Sequence, residues 1–207
     1  MTNNVNVINS AGSSVDVKVE EKNGAVQILI SCPTKRKELG ALQPGDTFKK
    51  NDTEYIVCEQ LENGMTAVVR KECLNGAMSF GTSNNWKESK WRGYLNDEYL
   101  KKLESIFGSE NIIEHEVDLT SLDGYDDYGI SVDKVSAMNI DRYRKYHKFI
   151  GNTETAHYLS TPNSTPSGLT SSGVRFVNDE GDVPYDGCGW IRSVRPFFIL
   201  KANIFVS

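Results

Sequence analysis

The residues able to do chemistry in this chain are sparse and scattered. Copper binding or thiol exchange takes paired reactive cysteines, because the thiolate is the active species and needs a partner or a base. The four cysteines, Cys32, Cys58, Cys73 and Cys188, stand apart without C-x-x-C spacing. Only Cys188 falls near the C-terminus, between Gly187 and Gly189, which supply no base. The spacing therefore points to packed thiols, with neither a zinc site nor a disulfide framework. His115, His147 and His157 are far apart in the chain and show no zinc spacing. No G-x-S-x-G elbow is present for a serine nucleophile. Asp123, Asp126 and Asp127, and separately Asp179, Glu180 and Asp182, could seat calcium, but neither group follows the helix–loop–helix calcium pattern. Solvated turns are the simpler reading, so no cofactor and no catalytic residue is assigned.

What remains is binding. Between residues 158 and 190, small polar residues alternate with isolated large ones: Tyr158, Phe176, Tyr185 and Trp190. Such a mixture is that of a paratope, in which Ser, Thr, Gly and Asn adapt and a few aromatics supply rigid contact area. The stretch "STPNSTPSGLTSSG" reads as loop. The expected ligand-binding set is Tyr158, Arg175, Asn178, Tyr185, Trp190 and Arg192.

The elements that must carry these residues are short. With 38% hydrophobic and 25% charged residues, the 207-residue chain is ordinary globular material, long enough to bury a core. A net charge of −5 lacks the basic face that phosphate neutralisation requires, so nucleic acid and anionic membrane are excluded as general partners. Residues 1–30 contain neither a signal peptide nor a membrane-length apolar run, which leads us to expect a product of the bacterial cytoplasm or a virion.

In "SVDVKVEEKNGAVQILISC", a two-residue turn at Asn23-Gly24 sets Lys22 opposite Ala25, Val19 opposite Ile28, Val17 opposite Ile30 and Val15 opposite Cys32. The apolar pairs share one face, and an isolated hairpin is marginal, so this face needs cover. We expect residues 1–34 to be an attachment or oligomerisation hairpin, giving a homo-oligomer, and residues 35–207 to be the main domain. A second Asn-Gly hairpin is expected at Asn63-Gly64. "NDEYLKKLESIFG" predicts a short helix with Asn96 as cap and Gly108 as stop, and "NIDRYRKYHKFI" predicts another. Periodicity alone thus gives α+β with hairpins.

Five stretches carry a resemblance. "NNWKESKWRGYLN" resembles the W-x-x-S-x-x-R-x-x-L-N signature of an uncharacterised domain family of Gram-positive bacteria and their phages. "DKVSAMNIDRYRKY", "HYLSTP", "GVRFVNDEGDV" and "SVRPFFIL" resemble its later elements, in the same order, over roughly residues 40–201. The chain departs from the pattern at His157-Tyr158, Ser160 and Ser193. The resemblance implies a C-type-lectin-like fold, related to formylglycine-generating enzymes and phage receptor-binding tips. Small antiparallel sheets and two short helices would support a long irregular C-terminal loop region. It implies structural roles for Trp86, Arg92, Asn96 and Arg195, with Arg195 in a central last strand, reaching backbone carbonyls or a carboxylate. Pro196 would mark a bulge or the strand start, and Arg192 would lie in the preceding loop.

The expected function is non-enzymatic recognition by a phage or prophage structural protein, contacting a host surface protein or glycan. The alternative is a small phage-encoded inhibitor that blocks a host cytoplasmic protein. A formylglycine-generating-type oxidase is the third reading.

Overall fold

A computed structural model describes residues 16–22, 25–31 and 36–207. Two compact units result, one containing the described residues up to Arg36 and the other Lys37–Val206. In the first, β1 (Asp16–Lys22) pairs antiparallel with β2 (Ala25–Ser31). Lys22 faces Ala25, Val19 faces Ile28 and Val17 faces Ile30, the register that a two-residue connection imposes. The expected Asn23-Gly24 turn and the Val15–Cys32 pair lie outside the described residues. Val19, Val26 and Ile28 share one face by this register, and all three are exposed.

The larger unit is mixed α/β, made mostly of small antiparallel sheets with two helical segments. Its strands before the first helix are β3 (Lys37–Glu38), β4 (Thr47–Lys50), β5 (Thr53–Leu61), β6 (Met65–Arg70) and β7 (Met78–Ser79). β5 and β6 form the expected second hairpin, and Asn63 (φ 61°) and Gly64 (φ 70°) take the left-handed conformations its connection needs. Helix α1 (Lys90–Tyr94) runs through a π turn at Leu95–Tyr99 into α2 (Leu100–Phe107). Gly108 ends it at φ 85°.

The start of this helix differs from expectation. Ser89 is the N-cap, its hydroxyl accepting from the Arg92 N–H at 3.0 Å, and Asn96 lies inside the π turn. The Lys90-Trp91-Arg92 turn has no clean apolar period of its own, and Trp91 is buried by tertiary packing.

Strands β8 (Ile112–Ile113), β9 (His115–Asp118), β10 (Ile130–Asp133) and β11 (Val135–Ser136) lead to helix α3 (Ile140–Ile150). The Asn139 side chain caps α3 by accepting from the Arg142 N–H. The chain then forms β12 (His157–Pro162), β13 (Gly173–Val177), β14 (Tyr185–Gly187), β15 (Ile191–Val194), β16 (Phe197–Lys201) and β17 (Phe205–Val206).

Two sheets dominate. The first has the order β11-β16-β6-β5-β4, with β8 also on β16, and the second has the order β14-β13-β12-β15-β7. β16 is therefore interior. It is buried on both faces: Phe198 and Leu200 enter the main core with Trp86, Leu95 and Tyr158, whereas Phe197 and Ile199 pack with Ile140, Tyr143, Tyr146 and Ile150 of α3. That explains an unbroken apolar run where a half-buried strand would alternate. Pro196 directly precedes β16, so its missing N–H costs no ladder bond, and its carbonyl accepts from the Arg70 N–H.

A second difference concerns the irregular region. Ser160, Thr161 and Pro162 belong to β12, which is buried along its whole length, so the loop is confined to residues 163–172. The polar side chains that suggested a loop face inward. Thr161 Oγ1 accepts from the Ile140 N–H at 2.8 Å, and the Ser160 N–H donates to the Met138 carbonyl.

Candidate functional site

The motif residues Trp86, Arg92 and Asn96 converge on one three-residue stretch, Asp133-Lys134-Val135. The buried Asp133 carboxylate accepts from Trp86 Nε1 at 2.8 Å and from Arg92 Nε at 2.7 Å. Asn96 Oδ1 accepts from the N–H groups of Lys134 and Val135, while its Nδ2 donates to the Val135 carbonyl at 2.8 Å. These side chains fasten the α1–α2 segment to β10 and β11. Sequence reasoning misses Asp133. Its signal is a lone carboxylate in "ISVDKV", at a position whose alternation partner, Ser131, is also buried.

Arg195 is 3% exposed. Its Nε donates to the Arg70 carbonyl at 3.0 Å, one terminal nitrogen to Gly151 at 2.9 Å, and the other to Lys71 at 2.6 Å and Ile150 at 2.8 Å. The acceptors lie at the end of β6 and at the C-terminal end of α3. Helix-end carbonyls have no intrahelical partner and carry partial negative charge, which makes them good acceptors for a buried cation. Burial pushes the Arg195 pKa down from its ordinary value.

The six residues expected to bind ligand do not form one surface. Tyr158 is fully buried, packs edge-on against Phe80, and donates its hydroxyl to the Trp190 carbonyl at 2.6 Å. It props up the Gly187–Trp190 turn from below and is not an exposed anchor. Phe176 is buried as well. Arg192 lies in β15, opposite Met78, rather than in a loop. Its guanidinium covers the Phe176 ring at 3.5 Å and pairs with Asp186 at 2.7 Å. Trp190 and Ile191, adjacent in the chain, are 63% and 68% exposed. With Gly187 and Gly189 they line a shallow open surface, and the Trp190 N–H closes the turn onto the Gly187 carbonyl.

Register places the others elsewhere. Tyr185 pairs with Arg175, so both face away from the Asp186–Val174 pair beside them. Arg175 stacks over the Tyr185 ring at 5.2 Å and donates to the Val183 carbonyl and to Asn163. Asn178 closes the turn that follows β13: its backbone N–H donates to the Asp182 carbonyl, and its side chain accepts from the Asp182 N–H. By register Arg192 belongs to one side of the second sheet, and Arg175 and Tyr185 to the other.

A buried side chain that sequence reasoning misses holds the 163–172 loop in place. Asn84 donates to the carbonyls of Ser164 and Gly173 and accepts from the Tyr128 hydroxyl. Asp127 also anchors this loop, accepting from the Ser167 N–H at 2.8 Å.

Cys58, Cys73 and Cys188 are free and buried, and burial pushes all three thiols up. Such thiols are weak nucleophiles at neutral pH. Cys73 Sγ lies 3.4 Å from Thr153 Oγ1, which is 3.2 Å from His157 Nδ1. This string resembles a relay, but burial lowers the His157 pKa to about 3, far from that of a useful base. Among the described residues, no group of three or more His, Cys, Asp or Glu could hold a metal ion, and no helix is long and apolar enough to cross a membrane. Comparison of the chain with protein-family models, curated proteins and solved structures finds no match.

Proposed function

We propose that this protein is a recognition module of C-type-lectin-like α+β fold, presenting the Gly187–Ile191 face to a macromolecular partner. The observation that carries the reading is the pair Trp190 and Ile191, exposed side by side on a turn held from beneath by the Tyr158 hydroxyl. A large aromatic on fixed backbone supplies contact area at small entropic cost, the property that makes Trp a frequent hot spot. The fold reading is supported by the antiparallel sheets, the two helical segments and the five motif stretches in order. The Trp86, Arg92 and Asn96 contacts with Asp133-Lys134-Val135 give two of those stretches a joint structural role.

The family resemblance favours a phage or prophage structural protein and a ligand on the host surface, with the β1–β2 hairpin as the attachment to an assembly. The oxidase reading draws no support from Cys188, whose thiol is buried and unpaired. The test is a pull-down with intact host cells and, separately, with lysate, using native protein and Trp190→Ala. Retention by intact cells, weakened about thirtyfold by the substitution, is the expected result, since truncating an interface Trp often costs ~2 kcal/mol. Capture of a lysate protein alone supports the inhibitor instead. Unweakened binding by a folded Trp190→Ala protein removes this face from the reading.

A further inference from the structure

A cleft of about 290 Å³ lies between helix α3 and the β13–β14 hairpin. Ile140, Tyr143, Arg144 and His147 line it from the helix, Arg175, Gly181 and Val183 from the hairpin, and Leu122 closes it. The four helix residues fall at i, i+3, i+4 and i+7, one stripe of a helix. Leu122, Ile140 and Val183 make the lining apolar, and its only ionisable side chains besides Tyr143 are two arginines and a histidine. No carboxylate lines it, although the chain carries five more acidic than basic residues. Of the nearby acids, Asp141 pairs with Arg144 along the helix, and the charge of Asp182, which follows the Asn178 turn, reaches the Tyr143 hydroxyl.

The cationic groups are only partly used. Arg175 spends its two terminal nitrogens on Val183 and Asn163, while its buried Nε has no partner. Arg144 meets Asp141 at 3.3 Å, with both side chains largely exposed, a pairing weak enough to yield to a better acceptor. His147 Nδ1 is 2.9 Å from the Arg144 carbonyl. The Tyr143 hydroxyl donates to the Gly181 carbonyl at 3.1 Å and joins helix to hairpin across the cleft. Burial lowers the Arg175 pKa, and the Arg144 charge adds to the effect. Two guanidiniums facing one small apolar space, with only the weak, exposed Asp141 pairing of Arg144 to offset them, are a receptor for an oxyanion.

We infer that this cleft binds a small organic anion, its oxyanion head between Arg144 and Arg175 and its apolar body against Leu122, Ile140, Tyr143 and Val183. The volume is at the low end of small-molecule pockets, about 300–1,000 Å³, which limits the ligand to roughly one ring with short substituents. The site is distinct from the Trp190 surface, with which it shares no lining residue.

The experiment titrates the full chain with phenylacetate and cyclohexanecarboxylate, with neutral phenylacetamide, and with inorganic phosphate, following backbone amide shifts by NMR. Saturable shifts confined to residues around Tyr143, His147, Arg175 and Val183 are expected for either carboxylate, with much weaker binding of the amide and of phosphate. Arg144→Gln, a substitution at an exposed side chain, is expected to keep the melting temperature and weaken the carboxylates about tenfold, the loss of one charge-assisted contact. His147→Gln provides a second folded variant, with a smaller loss. Unsaturable or scattered shifts with both carboxylates overturn the inference. So does amide or phosphate binding equal to theirs, or a folded Arg144→Gln protein with undiminished affinity.

Discussion

Replacing Arg195 tests the architecture most directly. Its guanidinium makes four hydrogen bonds of 2.6–3.0 Å to the carbonyls of Arg70, Lys71, Ile150 and Gly151. Hydrogen bonds involving a charged group contribute ~1.5–3 kcal/mol each, so four would sum to roughly 6–12 kcal/mol. Against this stands the desolvation of a cation that is 3% exposed, which costs several kcal/mol. Water entering the vacated space in Arg195→Ala would partly satisfy the carbonyls. The net destabilisation is therefore about 3–5 kcal/mol. For a unit the size of Lys37–Val206 this lowers the melting temperature by about 6–20 °C. Arg195→Lys keeps the charge without the planar fork and should lose roughly half as much. Urea denaturation gives the free energies, and hydrogen exchange should show faster opening at the C-terminal end of α3. The decisive variant is Arg195→Met, which refills the stem volume yet strands all four acceptors. If it remains within about 1 kcal/mol of the native protein, the four bonds contribute nothing net and the reasoning fails.

Three further outcomes are expected. Asp133→Asn removes the buried charge that accepts from Trp86 and Arg92, and should cost about 3–5 kcal/mol with a change in the near-ultraviolet signal of Trp86. Stability should fall in acid, because burial, helped by Arg142 and Arg195 respectively, lowers the pKa of His115 and His157 to about 3. Both are neutral in the folded state while the unfolded chain takes up protons below about pH 6.5, so the loss begins there and grows by ~1.4 kcal/mol per pH unit for each histidine until about pH 3. Denaturation at a series of pH values measures this slope, which His157→Asn should reduce by about half. Finally, light scattering should give a multiple of the monomer mass for the full chain and the monomer mass for a protein beginning at Lys35. Equal monomeric masses would remove the β1–β2 hairpin as an assembly element.

Much of the local structure is legible in the sequence because short-range stereochemistry writes it there. Turn residues and strict alternation set the β1–β2 register, and Asn63-Gly64 sets the β5–β6 connection, since few residues accept positive φ. The "FFIL" run beside Arg195 leaves two choices in the sequence, a strand edge facing water or fixed acceptors inside, and the packing of β16 on both faces decides for the second. Tertiary structure decided the rest. Nothing local distinguishes the Ser160-Thr161-Pro162 stretch from a surface loop: the Ser160 N–H meets the Met138 carbonyl, Thr161 Oγ1 meets the start of α3, and the Ser160 hydroxyl is buried without a partner. Tyr158 and Trp190 are equally large and equally isolated in the sequence, yet one is buried beneath the turn that exposes the other. The true helix start at Ser89, the role of Asn96 within the π turn, and the cleft joining Arg144 to Arg175 all depend on contacts between residues far apart in the chain. Periodicity reports which side of an element is apolar. Which layer covers that side, and which polar groups meet there, is settled only when the second layer packs against it.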